Sequence, residues 1–138
     1  MPTTWYRKVY CIQTPFDMGL DDAQRLRVGF NILADKVSSD TFTEEIVALL
    51  VAAGVGTEGV NIFVGSKVSI PNGAGPYLHI VETAGREPDD THNSLTVPAY
   101  ERPGAQIVVR ALTRPPARTM ANAAYRALNP IINTSVTF

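Results

Sequence analysis

A chain of 138 residues with 12 Lys and Arg against 13 Asp and Glu has a net charge of -1, without the basic excess of a dedicated nucleic-acid binder. Its length suits one domain with a real core; hydrophobic residues make up 45% and charged residues only 18%, a neutral surface that fits a subunit packed against neighbours, though plain monomers share it. The single cysteine, Cys11, excludes an internal disulfide or a multi-thiolate metal site, no apolar run reaches the length of a membrane span, and the start, with Arg7 and Lys8, does not read as a secretory signal, so synthesis in a reducing cytoplasm is expected.

Residues 1–20 read as an extended arm. Trp5, Arg7, Val9 and Cys11 alternate with Tyr6, Lys8, Tyr10 and Ile12, a period of two with aromatic and β-branched residues, and Pro15, Asp17 and Gly19 break it. Residues 21–38 suggest a helix. Asp21 and Gln24 have capping-box spacing, and Ala23, Leu26, Phe30, Leu33 and Val37 recur at intervals of three and four, with Gly29 as a weak point.

A second helix is predicted from Thr41 and Glu44, another capping box. Ile46, Leu49, Leu50 and Ala53 lie on its apolar face and Gly54 stops it. Asn61 to Ile70 reads as a strand interrupted by Gly65, the Pro71–Pro76 cluster as a turn, and Tyr77 to Thr83 as the next strand. Segment 84–96 is polar and reads as a long exposed loop. Val97 to Glu101 and Ala105 to Leu112 form two strand segments around Arg102-Pro103-Gly104, with apolar runs that suggest central positions.

Pro115 and Pro116 suit the first turn of a third helix, whose face carries Ala117, Met120, Ala121, Ala124 and Leu128 and which ends at Asn129-Pro130. Ile132, Thr134, Val136 and Phe138 then alternate with polar residues as a half-buried terminal strand, ready to pair across subunits if it lies at an edge. The expected fold is α+β: a mostly antiparallel sheet of about four to six strands with two or three helices packed against it.

Residues able to carry chemistry are few. Gly54 to Gly59 matches G-x-G-x-x-G but follows a helix rather than a strand, so the dinucleotide mechanism lacks its context. His79 and His92, with Glu82, Asp89 and Asp90, include metal-ligand types, yet His79 and Glu82 point to opposite faces of a regular strand and His92 lies in the loop. Glu87, Asp89 and Asp90 could pair carboxylates for acid–base work, or form a solvated acidic loop. No catalytic residue, cofactor or metal is expected.

Arg102, Arg110, Arg114, Arg118 and Arg126 crowd the last third of the chain, against Glu82, Glu87, Asp89, Asp90 and Glu101. They read as solubilising charge, as charge complementarity in which one protomer's acidic loop meets the next one's basic strand–helix edge, or, for some arginines, as contacts to DNA.

Residues 97–128 carry a family pattern. Tyr100-x-x-Pro103-x-x-Gln106-Ile107-Val108-Val109-Arg110, followed by a helix with Ala117, Ala124, Tyr125 and Leu128, resembles the central strands of phage tail terminator and minor capsid proteins of the head–tail junction. Glu45-Ile46-Val47-Ala48-Leu49-Leu50, leading into Gly54-Val55-Gly56-Thr57 and Asn61-Ile62-Phe63-Val64-Gly65, resembles that family's opening helix and first strand. The similarity spans residues 41–138, so residues 1–40, arm and extra helix, are an addition to it.

The resemblance implies a ring, typically sixfold, that caps the tail tube and faces the head connector, with DNA only passing through its lumen and no membrane or cofactor involved. It implies residence in the virion after assembly in the host cytoplasm, and no enzymatic activity. The alternatives are a head-closure or neck adaptor, or a small α+β enzyme or ligand-binding module using His79 or His92. Interface residues expected from the sequence are Trp5, Tyr6 and Tyr10 on the arm, Glu87, Asp89 and Asp90 in the acidic segment, Arg102, Arg110, Arg114 and Arg118 opposite them, and Val136 and Phe138 on the terminal strand. The arm could equally complete its own domain's sheet.

Overall fold

The computed structural model describes residues 3–21, 24–36, 42–65, 69–71, 73–89 and 100–137. The fold is α+β: seven strands in one sheet and two helices, α1 (Phe42–Ala52) and α2 (Arg114–Leu128), both packed on the same face. The strands are β1 (Thr3–Cys11), β2 (Phe16–Leu20), β3 (Leu26–Lys36), β4 (Ile62–Val64), β5 (Tyr77–Asp89), β6 (Tyr100–Ala111) and β7 (Ile131–Thr137). Across the sheet they run β4-β5-β6-β3-β1-β7, with β2 also on β3; β4 and β5 pair in parallel and the other described strand pairs are antiparallel.

Where a helix was expected over 21–38, the described residues form a turn and a strand, β3. Asp21, placed by the sequence at a helix cap, closes the β2–β3 hairpin instead. Its Oδ1 accepts the Arg25 N–H at 2.9 Å, its own N–H donates to the Arg25 carbonyl at 2.9 Å, and Gln24 takes a left-handed φ of 62°. From Leu26 the chain is a central strand. Val28, Phe30, Ile32 and Ala34 are fully buried beneath the helices, and the 3-4 spacing arose because Leu33 is buried from the other face. Gly29 is required by close approach rather than tolerated in a helix: a Cβ there would lie 2.7 Å from the Ile107 carbonyl oxygen and 2.5 Å from the Met18 sulfur.

The arm completes its own domain's sheet. β1 pairs with the second half of β3 and β2 with the first half, so one interrupted strand borders β3, and β7 lies outside β1. The extra helix assigned to residues 1–40 is therefore replaced by strands at the sheet's centre. Two further boundaries differ. β5 runs on to Asp89, where a loop from residue 84 was predicted. β6 is one strand from Tyr100 to Ala111, because register shifts in β5 between Thr83 and Arg86 and between Arg86 and Asp89 absorb Pro103. Of the strand predicted over 61–70, the structure shows β4, Ile62–Val64, and residues 66–68 lie outside the described residues. His92, the strand start at 97–99 and the capping box at Thr41 lie outside the described residues.

α1 ends at Ala52, and Gly54 just beyond it takes a left-handed φ of 77°. α2 begins with Pro at its first turn and buries Ala117, Met120, Ala121, Ala124 and Leu128, the face read from the sequence. No helix among the described residues is long and apolar enough to cross a membrane.

One polar group sits inside this core. Lys36 and Glu45 are both fully buried, and Lys36 Nζ pairs with Glu45 Oε1. The Tyr6 hydroxyl donates to the same oxygen at 3.0 Å, and the ammonium lies 5.0 Å from the Tyr6 ring and 5.9 Å from the Phe42 ring. The three residues tie β1, β3 and α1 together. Burial first, then the Glu45 charge, raises the Tyr6 pKa far above its ordinary value near 10. Burial likewise pushes the Cys11 thiol from 9.0 up to about 12.

Both groups are neutral when protonated, so the stability they confer is complete below their unfolded pKa values. It is lost as pH rises, from about 9 for Cys11 and about 10 for Tyr6. Urea midpoints should be level from neutral pH to about 9 and fall above it, and Tyr6→Phe should make the fall shallower. A midpoint unchanged at pH 11 would mean that neither group is shielded as described.

Candidate assembly surface

The helices cover one face of the sheet, and among the described residues the other carries no helical layer. The alternation of β5, β6 and β3 places Tyr77, His79 and Val81, then Gln106, Val108 and Arg110, then Arg27 and Asn31 on this second face, all half-buried. Near the end formed by the β2–β3 turn lies a concavity of about 260 Å³, lined by Arg27, Arg110, Tyr77, His79, Gln106 and Asp21 among others.

Its charge pattern is unusual for a sheet. Arg27 and Arg110 are direct cross-strand partners, an arrangement of like charges that costs stability when nothing offsets it. Arg25 stands close by, its Nε 2.9 Å from Asp21 Oδ2, while Arg110 Nε lies 3.9 Å from the same oxygen. The Asp21 carboxylate thus lies between two guanidiniums, those of Arg25 and Arg110. Burial first, then the charge of Arg25, lowers the Arg110 pKa.

The outer nitrogens are used: Arg110 Nη2 donates to the Pro71 carbonyl at 2.6 Å and Arg27 Nη2 to the Met18 carbonyl at 3.2 Å. The inner Nε atoms of Arg27 and Arg110 are buried without a hydrogen-bond acceptor. The His79 Nε2 is bonded to the Gly65 carbonyl, so this ring holds β5 to the end of β4. Among the described residues no three His, Cys, Asp or Glu side chains group in a way that would hold a metal ion.

The expected interface residues separate into four sets. Tyr6 and Val136 are core residues, 0% and 4% exposed, and a ring sealed inside its own domain cannot anchor a neighbour. Arg102, Arg114 and Arg118 meet acids of the same chain: Arg102 lies 3.2 Å from Asp35, Arg114 3.4 Å and Arg118 3.9 Å from Asp17, and Arg118 also donates to the Pro15 carbonyl at 2.9 Å. Among the described side chains, their counter-charges Asp17 and Asp35 stand on β2 and β3.

Tyr10 is half-buried, with Lys8 Nζ 4.5 Å from its ring, and Arg110 faces the concavity. Trp5, opposite Ser135, and Glu87 and Asp89, on the last stretch of β5, have described backbones only, while Asp90 and Phe138 lie outside the described residues.

Sequence reasoning missed Arg25, Arg27 and Asp21, because a helix at 21–38 disperses them around a cylinder. The alternation of Arg27, Gly29 and Asn31 with Val28, Phe30 and Ile32 was the signal that could have found them. The edge strand β7 was anticipated, and it carries an exposed Ile132; Ile12, Phe16 and Leu20 are further exposed apolar residues on the arm. Comparison with protein-family models, with curated proteins and with solved structures gave no match for this chain.

Proposed function

We propose that this chain is a structural subunit of a tailed-phage virion, a ring-forming tail terminator that caps the tail tube and joins it to the head connector. The observation that carries the reading is the asymmetry of the sheet. Among the described residues one face is closed by α1 and α2, the other carries no helical layer, and β7 is the outermost strand beside β1. A ring needs two different surfaces on each subunit that meet by rotation, and such a sheet supplies them.

The segments that resemble the tail-terminator family support the same reading. They fall on α1, β4, β6 and α2 in chain order, and those elements pack into one core. The work of the chain on this reading is subunit contact, with arginines and carboxylates serving interfaces rather than a reaction.

Light scattering on the purified chain, with and without the tail tube protein encoded in the same genome, tests it. The expected result is a discrete multiple of the 14.9 kDa subunit mass, with sixfold the favoured value, and tubes that stop elongating when the chain is added. A chain that stays monomeric in both conditions and is absent from purified virions would overturn the reading.

A further inference from the structure

We infer that the outward side of α1 is a groove that receives β1 of a second copy of this chain, with Lys8 of one copy meeting Glu44 and Glu58 of the next. The inference rests on the ring reading above and names the contact that closes the ring.

The groove is built on α1. Phe42, Ile46 and Leu50 turn into the core, while Val47, Ala48, Val51 and Ala52 line a hollow of about 530 Å³ on the helix's other side. Val51 is 43% exposed there. Glu44 and Glu58 stand at the rim, both exposed, and no cation lines the hollow. Glu44 accepts from the neighbouring Thr43 hydroxyl at 3.2 Å, and among the described residues neither carboxylate forms an ion pair. An apolar floor beneath two carboxylates selects a partner that is apolar and carries a positive charge.

β1 has that composition on its far side. Val9 opposes Ala34, which is buried beneath the helices, so Lys8 and Tyr10 point to the sheet's other face. Lys8 is exposed, and its Nζ rests 4.5 Å from the Tyr10 ring rather than on a carboxylate; Asp35, its cross-strand partner, lies 3.2 Å from Arg102. Ile12, just past the end of β1, is 51% exposed. Cation, aromatic ring and aliphatic chain thus follow one another along a strip, with the tyrosine as its natural anchor.

The two surfaces also agree in length. From Lys8 to Ile12 the strip runs about 13 Å at 3.3 Å per residue, and from Glu44 to Val51 the helix runs about 10 Å at 1.5 Å per residue. Within one chain they face away from each other, because α1 lies on one side of the sheet and Lys8 and Tyr10 on the other. The contact therefore joins different surfaces of two copies, the heterologous geometry that closes rings. It anchors an interface that should bury about 1,200 Å² or more in total.

Charge exchange tests the contact, since all three charged groups are exposed and their reversal leaves the core untouched. Lys8→Glu and Glu44→Lys/Glu58→Lys should each raise the subunit concentration at half-assembly by about tenfold or more, with wild-type circular dichroism. Light scattering reads it, with or without tail tubes, in whichever condition the wild type assembles. The combined variant Lys8→Glu/Glu44→Lys/Glu58→Lys should return to the wild-type value, because each strip then meets a groove of opposite sign; a misfolded chain cannot give that result.

A Lys8→Glu chain that assembles as wild type overturns the inference and leaves the ring reading intact, as does a combined variant that stays dissociated. A wild-type chain that remains monomeric with and without tail tubes overturns both. Groove variants that assemble as wild type but no longer stop tube elongation assign the groove to the tail tube protein, and that too overturns the inference.

Discussion

Glu45→Ala should be among the most damaging single substitutions in this protein, lowering the free energy of unfolding by about 3–5 kcal/mol. The change removes the partner of Lys36, whose ammonium is fully buried, and strips the Tyr6 hydroxyl of the acceptor it holds at 3.0 Å. A charge left in the core without its counter-ion costs far more than the pair contributes when intact. Against a typical domain stability of about 5–15 kcal/mol, the loss should be visible as a large drop in the urea midpoint.

The same physics sets a contrasting expectation. Tyr6→Phe/Lys36→Met/Glu45→Leu removes donor, charge and acceptor together and keeps the volume, so it should be near neutral or stabilising by about 1–4 kcal/mol. If Glu45→Ala costs less than about 1 kcal/mol, water reaches Lys36 and the group is not a sealed core feature.

Phe30→Ala should cost about 3–5 kcal/mol, the range for emptying a buried aromatic site. Phe30 is fully buried at the middle of β3, where its ring meets Tyr125 of α2 edge to face, with centroids 5.9 Å apart and planes at 87°. The strand is bordered by β6 on one side and β1–β2 on the other, so it cannot shift to close the void. Phe16→Ala is the control: that ring, on β2, is 39% exposed and should cost under about 1 kcal/mol. Urea titrations of the two variants decide it, and equal losses would contradict the packing described.

The sequence was most legible where local chemistry and tertiary environment agree. α2 was announced by two prolines, a stripe of small residues and Asn129-Pro130, and each mark does in the fold what its stereochemistry favours. The first half of β5, the second half of β6 and β7 were visible as runs rich in β-branched residues. The hairpin at 21–36 was not, because its marks serve two structures. Asp21 is as good a turn former as a helix cap, and Leu26, Phe30 and Leu33 satisfy a helical interval although Leu33 faces the opposite side of the sheet from Phe30.

That error hid the candidate site as well. Arg27 meets Arg110 only across a strand pair that joins residues far apart in sequence, and no local window contains that pairing. The ion pairs of Arg114 and Arg118 with Asp17 were hidden for the same reason; Lys36 and Glu45 are close in sequence, but a helix predicted over 21–38 concealed the strand-to-helix packing that joins them.

The position of β3 also bears on when the molecule can form. Leu26 pairs with Ala111, and Thr3 pairs with Thr137, so strands from the beginning of the chain wait for partners near its end. Until the ribosome has delivered β6, Val28, Phe30 and Ile32 lack the strand that pairs with them in the fold. Loop closure over such separations makes folding slow and exposes the early hairpin to wrong pairing. Synthesis therefore leaves a window in which a chaperone, rather than the chain's own sheet, is the natural cover for β3.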